Sequence, residues 1–573
     1  MSSRRGAVLL VGLLAAVLLL AGCTWVPTSG GVVDVAPLGT TETTEGAEFV
    51  PSGPSPGESP SSIVEGFLDA MQATPVQMTV AREFLTRSAA TTWNPAPGTL
   101  VYASRSRASG GDGHLTVRLS GASLLDSRGA WKGSSVGPAL HFSVVRQDGA
   151  WRIAQAPDRM VVPESWFQTR FTQVSLYFFD PTARILVPEP VLLPAGPQLP
   201  TALITDLLRG PVPGLDNVER TFLPSGVSGG LSVPVSGGLA QVSLSGAADV
   251  SDTSARMMAA QIAWTLGQVD TVHAVHIVLG GRDVTVGNSN VIPVTSFSQY
   301  DPAGPGVDSP LFGLRDGVVV RNLGQGFSPV AGTWGHESSG LRSVAVGPGG
   351  RLVAGVSADG RGLVVGSLGN RRRRSYDDVG TDLLRPVWDF SGRLWLLDRN
   401  GGRAVVWSLS AGRLHRVRVP GITGRNVAEF QVSLDATRLI AVVRGAETDE
   451  VVASRLEQNA HGQITGGTPP QVISDVSEGP LRLSAMVWHS PTEVVTLQQF
   501  AGTALIRTLA VDGSTTVYPG VTVTVGDRPI AMVGSPRSAN GLYAVTTHEL
   551  LDLSGHSDNL ELPRGITSVG YGA

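Results

Sequence analysis

The chain has 573 residues and a formal net charge of −4, a balance that speaks against nucleic acid as a partner. It holds a single cysteine, which excludes an internal disulfide and a cysteine-based zinc site, so stability has to come from packing. At roughly 100–200 residues per domain the length provides for several cores. Lys132 is the only lysine beside a large excess of arginine and 71 glycines, a codon bias that points to a GC-rich genome such as that of an actinobacterium.

The cysteine sits at the end of an apolar run. Met1 to Gly6 carries Arg4 and Arg5 and no acid, and Ala7 to Ala21 is apolar apart from Gly12. A basic start, a short apolar stretch and small residues after it read as a secretory signal peptide. The run is too short to span a bilayer comfortably, since a spanning helix needs about 20 apolar residues. Its end, Leu20-Ala21-Gly22-Cys23, resembles the bacterial lipobox. The resemblance implies that residues 1–22 are removed by signal peptidase II. It also implies that Cys23 carries an S-diacylglyceryl group and an N-acyl chain. This covalent lipid is the only non-protein group expected, with no metal and no catalytic residue assigned.

Residues 23–60 are rich in Pro, Gly, Ser and Thr ("TTETTEG", "PSGPSPGESP") and are expected to form a flexible tether. Residues 61–165 are expected to form an α+β domain. Ser61-Ser62 is placed to cap a helix with Ile63, Phe67, Ala70 and Met71 on one face, ended by Pro75. A second helix carries Val80, Phe84 and Leu85. The period then falls to two, at Leu115, Val117, Leu119 and again at Leu140, Phe142, Val144, and an Asp148-Gly149 turn leads into "AWRIAQ". Helices followed by an antiparallel sheet resemble the nuclear transport factor 2 (NTF2-like) fold.

Residues 166–298 form a second expected α+β domain. "VSLYFFD" and "RILVPEPVLLP" read as strands, and "LPTALITDLLRGP" as an amphipathic helix stopped by Gly210-Pro211. Ala240, Val242 and Leu244 alternate with polar neighbours as in a half-buried strand. Ser251 or Asp252 is placed to cap a helix with Met258, Ile262 and Leu266 near one face, and "TVHAVHIVLGG" follows as a strand. This order, with "LYF", "LLRGP", "VSLSG" and "QIAWTLGQ", resembles the GerMN domain of sporulation and germination proteins, which implies an interaction module.

Residues 299–573 change texture to short apolar runs between Gly, Asp and Ser turns, as in "GGRLVAGVSADGRGLVVGSL" and "SGRLWLLDRNGGRAVVWSLS". With Leu352, Leu394, Leu439, Val494 and Leu542 as equivalent points, the steps are 42, 45, 55 and 48 residues. Four-stranded propeller blades repeat at roughly 40–50 residues, so a degenerate β-propeller of five to seven blades is expected, with a pair of β-sandwiches as the other architecture. Lipobox, tether, two α+β domains and propeller, in that order, resemble the actinobacterial LpqB lipoprotein family. The resemblance implies a lipid-anchored protein on the extracytoplasmic face of the cell membrane. It would be an accessory of an MtrAB-like two-component system, partnered with the extracellular domain of an MtrB-like sensor histidine kinase and affecting cell-wall and division control. A peptidoglycan- or glycan-binding envelope protein is the other reading, and a hydrolase a third.

The candidate chemistry is thin. Gly-x-Ser-x-Gly occurs at 53–57, 133–137 and 226–230, but no copy has both the strand before and the helix after that a nucleophile elbow needs. His336-Glu337 begins like H-E-x-x-H, yet Gly340 replaces the second histidine. His273 and His276, three apart on a strand, point to opposite faces. Arg371–Arg374, followed by Asp377 and Asp378, is the densest charge cluster and reads as a solvated loop between blades, with an anionic polymer or acidic partner as its functional reading. Trp388, Trp395, Trp407 and Trp488 lie in the propeller region; Trp395 and Trp407, inside apolar patterns, are expected in its core.

Overall fold

The computed structural model describes residues 49–572 except 136, 247–249, 305–308, 325, 370–371, 475–481, 501–502, 515–520, 524–527, 538 and 556–557. The signal peptide, Leu20, Ala21, Gly22 and Cys23 lie outside the described residues. Residues 51–72 and 76–572 belong to one compact unit.

The first helix, Pro60–Ala70, starts earlier than its sequence suggests. Ser59, not Ser61 or Ser62, is the cap, and its side chain accepts the Ser62 N–H at 3.1 Å. Proline is well placed at the first helical position because it has no N–H there to leave unpaired. Ile63, Val64, Phe67, Leu68 and Ala70 are buried. Two short helices follow, Thr79–Glu83 and Arg87–Thr92. They precede a sheet ordered Ala150–Gln155, Ala139–Gln147, His114–Asp126, Gly98–Arg105, Met160–Pro163. The last pair is parallel and the other neighbours antiparallel. Asp148 and Gly149 both have positive φ, 53° and 81°, as a tight hairpin turn with the twist of its strands requires. Leu115, Val117, Leu119, Leu140, Phe142 and Val144 all enter the core, as their alternation indicates.

The expected boundary at 165/166 falls inside a helix, Glu164–Arg170, which runs directly into a hairpin of Phe171–Phe179 and Leu186–Pro194. The strand Leu239–Ser245 pairs in parallel with Ala274–Leu279, and the helix Asp252–Leu266 connects them. Ser251 caps that helix, accepting the Ser254 N–H at 3.2 Å. Met258, Ile262 and Leu266 pack with Leu203, Val242 and Ile277 in one core. Two glutamines hold the hairpin against it. Gln268 brackets Ser175, accepting its N–H and donating to its carbonyl, both at 2.7 Å. Gln261 accepts the Phe222 N–H at 2.6 Å and donates to Tyr177 O at 3.0 Å. Each amide serves as the strand partner that this hairpin's backbone lacks.

After a 3₁₀ segment, Val294–Tyr300, the described residues that follow fold as six antiparallel sheets, each with a four-strand run. Blade two, for example, runs Leu341–Val346, Leu352–Ser357, Leu363–Ser367, Arg373–Tyr376 from its innermost strand outward. Blade one takes its innermost strand from Ile566–Tyr571, paired antiparallel with Leu311–Arg315, so the first and last strands of the region close the ring. This gives a six-bladed propeller. Leu352, Leu394, Leu439 and Val494 all lie in second strands, and Leu542 directly precedes one, so the spacing marks blade positions. Six apolar cores result, one in each seam between neighbouring blades. Trp388 and Trp488 stitch the ring further. Each sits on an inner strand and donates its indole N–H to the inner strand of the preceding blade, at Ala345 O (3.2 Å) and Val432 O (3.0 Å).

Charge, rather than apolar area, marks the joint between the second domain and the propeller. Arg438, on the second strand of blade four, is 2 % exposed and donates to Pro188 O and Glu189 Oε1, both at 2.8 Å. Arg455, on the neighbouring strand, reaches Glu189 at 2.6 Å and Glu219 at 3.7 Å. Burial alone would raise the Glu189 carboxyl, but the two arginines outweigh it and hold it at about 2. Burial, with the Glu189 charge beside it, pushes Glu219 well above the usual carboxylate range. Gln458 N–H adds a bond to Asn217 O at 2.7 Å. Gly462, at φ 74°, lets Thr182 close in, since a Cβ there would lie 3.2 Å from the threonine methyl.

Candidate functional site

The innermost strands converge on a cavity of about 570 Å³ on the propeller axis. This lies within the size range of small-ligand sites, about 300–1,000 Å³. Blade strands supply its apolar wall, including Val346, Val387, Val432 and Met532, because residues alternate between seam and neighbour along each inner strand. Arg184 and Ile185 from the second domain, with Gln299 and Ala303 from the connecting segment, line it as well. The site is therefore composite, drawing on two domains and the segment between them.

Its charged lining is four arginines, at 184, 351, 385 and 537, against one carboxylate, Glu429. Arg385 bridges two inner strands, donating Nε to Val344 O at 3.0 Å and Nη1 to Val569 O at 2.8 Å. Arg537 donates to Gly304 O. The Arg184 guanidinium lies 5.3 Å over the Phe390 ring. Glu429 is half-buried in the cavity wall, and loss of water around it pushes its carboxyl up to about 7 despite Arg385 and Arg399 nearby; one of its oxygens accepts the Phe430 N–H at 3.1 Å. Among the described residues none of the four arginines has a carboxylate within 4.0 Å.

The residues singled out in the sequence lie elsewhere, except two tryptophans. Ser228 is on a two-residue exposed strand, its hydroxyl 2.7 Å from that of Ser245, with no helix after it. Ser55 is exposed and outside any strand, and Ser135 ends a strand, Trp131–Ser135. His276 faces Asp283, with Nε2 3.0 Å from Oδ1, while His273 packs beside Gly238. His336 ends a four-residue helix. No group of three metal-ligating side chains occurs among the described residues. Arg371 lies outside them. Arg373 and Arg374 are not in a loop but on the outermost strand of blade two, where Arg373 stacks 4.6 Å over Trp334 and Arg374 4.9 Å over Tyr376. The loop reading failed because a run of arginines hides the strand's alternation. Trp388 and Trp488 line the cavity but are 5 % exposed, and Trp395 is wholly buried, donating to Asp389 Oδ2 at 3.0 Å, so none offers an open ring face. The cavity arginines carried no sequence signal, because they are scattered from 184 to 537 and only closure of the ring brings them together.

Two α+β modules and a six-bladed ring with a composite axial cavity define a multidomain propeller protein. Three family models match in succession: the N-terminal domain of lipoprotein LpqB over residues 53–168, the sporulation and spore germination (Germane) family over 175–285, and the LpqB β-propeller domain over 317–558. Relatives called lipoprotein LpqB from Streptomyces avermitilis and Cutibacterium acnes are each 27% identical. The first comparison covers 97% of this chain and 94% of the relative, the second 98% of both. Along nearly its whole length the chain is thus similar to lipoproteins of the LpqB family. Among solved structures, a chain of the nidogen/laminin complex matches 46% of this chain and 97% of its own at 11% identity, with a TM-score of 0.34.

Proposed function

We propose that this protein is a lipid-anchored accessory of an MtrAB-like two-component system. It binds the extracellular domain of an MtrB-like sensor histidine kinase without catalysing a reaction. Cys23 carries the diacylglyceryl and acyl groups after cleavage following Leu20-Ala21-Gly22, and residues 24–48 hold the folded part off the outer face of the membrane. The observation that carries the reading is the charged joint, in which Arg438 and Arg455 grip Glu189 and fix the GerMN-type domain on the propeller as one contact surface. Such a protein shifts a sensor's equilibrium only by binding one state better than the other. Anchoring both partners in one membrane raises their effective concentration. The first domain's three helices followed by a mostly antiparallel sheet fit an NTF2-like scaffold.

Calorimetric titration of the full chain into the purified extracellular domain of the kinase tests this, with saturable binding at moderate salt as the expected result. No heat and no complex, with both proteins on one vesicle surface as well, overturns it. A wall-polymer role is the second reading. It is favoured by exposed arginines on the outer strands of blades two and three, Arg374, Arg413 and Arg416. Co-sedimentation with purified sacculi above the level of a control lipoprotein would support it. For the anchor, Cys23→Ser should abolish labelling by a fatty-acid probe.

A further inference from the structure

We propose that the axial cavity is a binding site for a small, multiply charged anion bearing phosphate or carboxylate groups. The argument is one of charge balance in a confined space. Four guanidinium groups line one cavity of about 570 Å³, and the single carboxylate there, Glu429, makes no ion pair within 4.0 Å with any of them among the described residues. Arg385 and Arg537 are half-buried and Arg184 and Arg351 exposed at the rim; like charges held around one opening repel unless an opposite charge joins them, and elsewhere this protein supplies one, as Glu189 does for Arg438 and Arg455. The cavity arginines depart from that pattern.

Their structural duties use only part of their donors. Arg385 commits Nε and Nη1 to two backbone carbonyls, which fixes the guanidinium plane and leaves Nη2 without a protein partner among the described residues. Arg537 commits one nitrogen to Gly304 O. Arg184 is held by the Phe390 ring face and donates no side-chain hydrogen bond among the described residues. A guanidinium presents five donors in a rigid fork suited to phosphate and carboxylate oxygens. Groups of this kind arriving from blade two, blade three, blade six and the second domain surround a ligand rather than meeting it on one side. The apolar wall beneath them limits the ligand to a compact molecule. Because Arg184 comes from the second domain and Arg385 from the propeller, an anion held by both ties those domains together.

The test uses the full chain in detergent at low ionic strength, titrated calorimetrically with inorganic pyrophosphate and, separately, with citrate. One saturable site for at least one probe is expected, and the preferred probe distinguishes phosphate from carboxylate recognition. Arg184→Gln combined with Arg537→Gln should weaken that site at least tenfold. Arg351→Gln, at an exposed position that cannot upset folding, should weaken it several-fold, while Arg416→Gln on the outer rim leaves it unchanged. Lack of saturation by either probe at 10 mM overturns the proposal. So does binding that Arg184→Gln/Arg537→Gln and Arg351→Gln leave intact, or binding that Arg416→Gln removes.

Discussion

The seams between blades and the joint between the second domain and the propeller are both closed contacts, but they combine apolar packing and charge in different proportions. The seam of blades four and five is mostly apolar: Ile440, Val442, Val451, Met486 and Val494 interdigitate, the Trp488 indole N–H donates to Val432 O and the Gln431 amide to Met486 O, and at one end the buried Asp449 carboxylate pairs with Arg482 of the next blade at 2.8 Å. Two residues before Ile440 on the same strand, Arg438 points into the joint and meets Glu189. Apolar packing accepts many sequences of suitable volume. A buried ion pair does not, because removing either partner strands the other. The ring thus rests chiefly on apolar packing repeated in every seam, with single buried pairs such as Asp449–Arg482 added to it, whereas the docking of the second domain rests chiefly on one cluster of buried charge.

Four substitutions probe that contrast. Arg438→Ala should have the largest effect, about 3–5 kcal/mol of lost stability in denaturant titration, since it leaves Glu189 and Asp435 buried with less compensation. Glu429→Gln comes next and is pH-dependent. The Glu429 carboxyl, at 4.5 in the unfolded chain and about 7 when folded, contributes stability that is full below pH 4.5 and is lost as the pH rises through 7. The variant should therefore be more stable than the parent by on the order of 3 kcal/mol at pH 8 and by less than about 1 kcal/mol at pH 5, read from melting curves at the two pH values. Ile440→Val, in the seam itself, should cost only about 0.5–1.5 kcal/mol. Arg416→Gln, exposed on the outer strand of blade three, should stay within about 0.5 kcal/mol of the parent. A seam substitution as costly as Arg438→Ala would erase the distinction.

The same contrast explains what was legible in the sequence. Local patterns carried through: the alternation at Ala240, Val242 and Leu244, the Ser251 cap, and the blade spacing from Leu352 to Leu542 all correspond to observed elements. Short-range signals misled where two competed, as at Pro60, whose preference for the first helical turn moved the cap to Ser59. Long-range pairings were not legible. Glu189 and Arg438 are 249 residues apart, and Arg184 and Arg537 meet around one cavity only because Ile566–Tyr571 closes the ring beside Leu311–Arg315. No periodicity marks such residues, since each is fixed by where two separate domains touch.

The central claim, that buried charge makes the second domain and the propeller one body, is tested most directly by a distance distribution between them. Cys23 is the only thiol, so Cys23→Ser provides a background in which spin labels at Arg256→Cys and Arg416→Cys are unique. The account predicts one narrow distribution that broadens when Arg438→Gln is added. A broad distribution with Arg438 in place, or a narrow one that Arg438→Gln leaves unchanged, would contradict it.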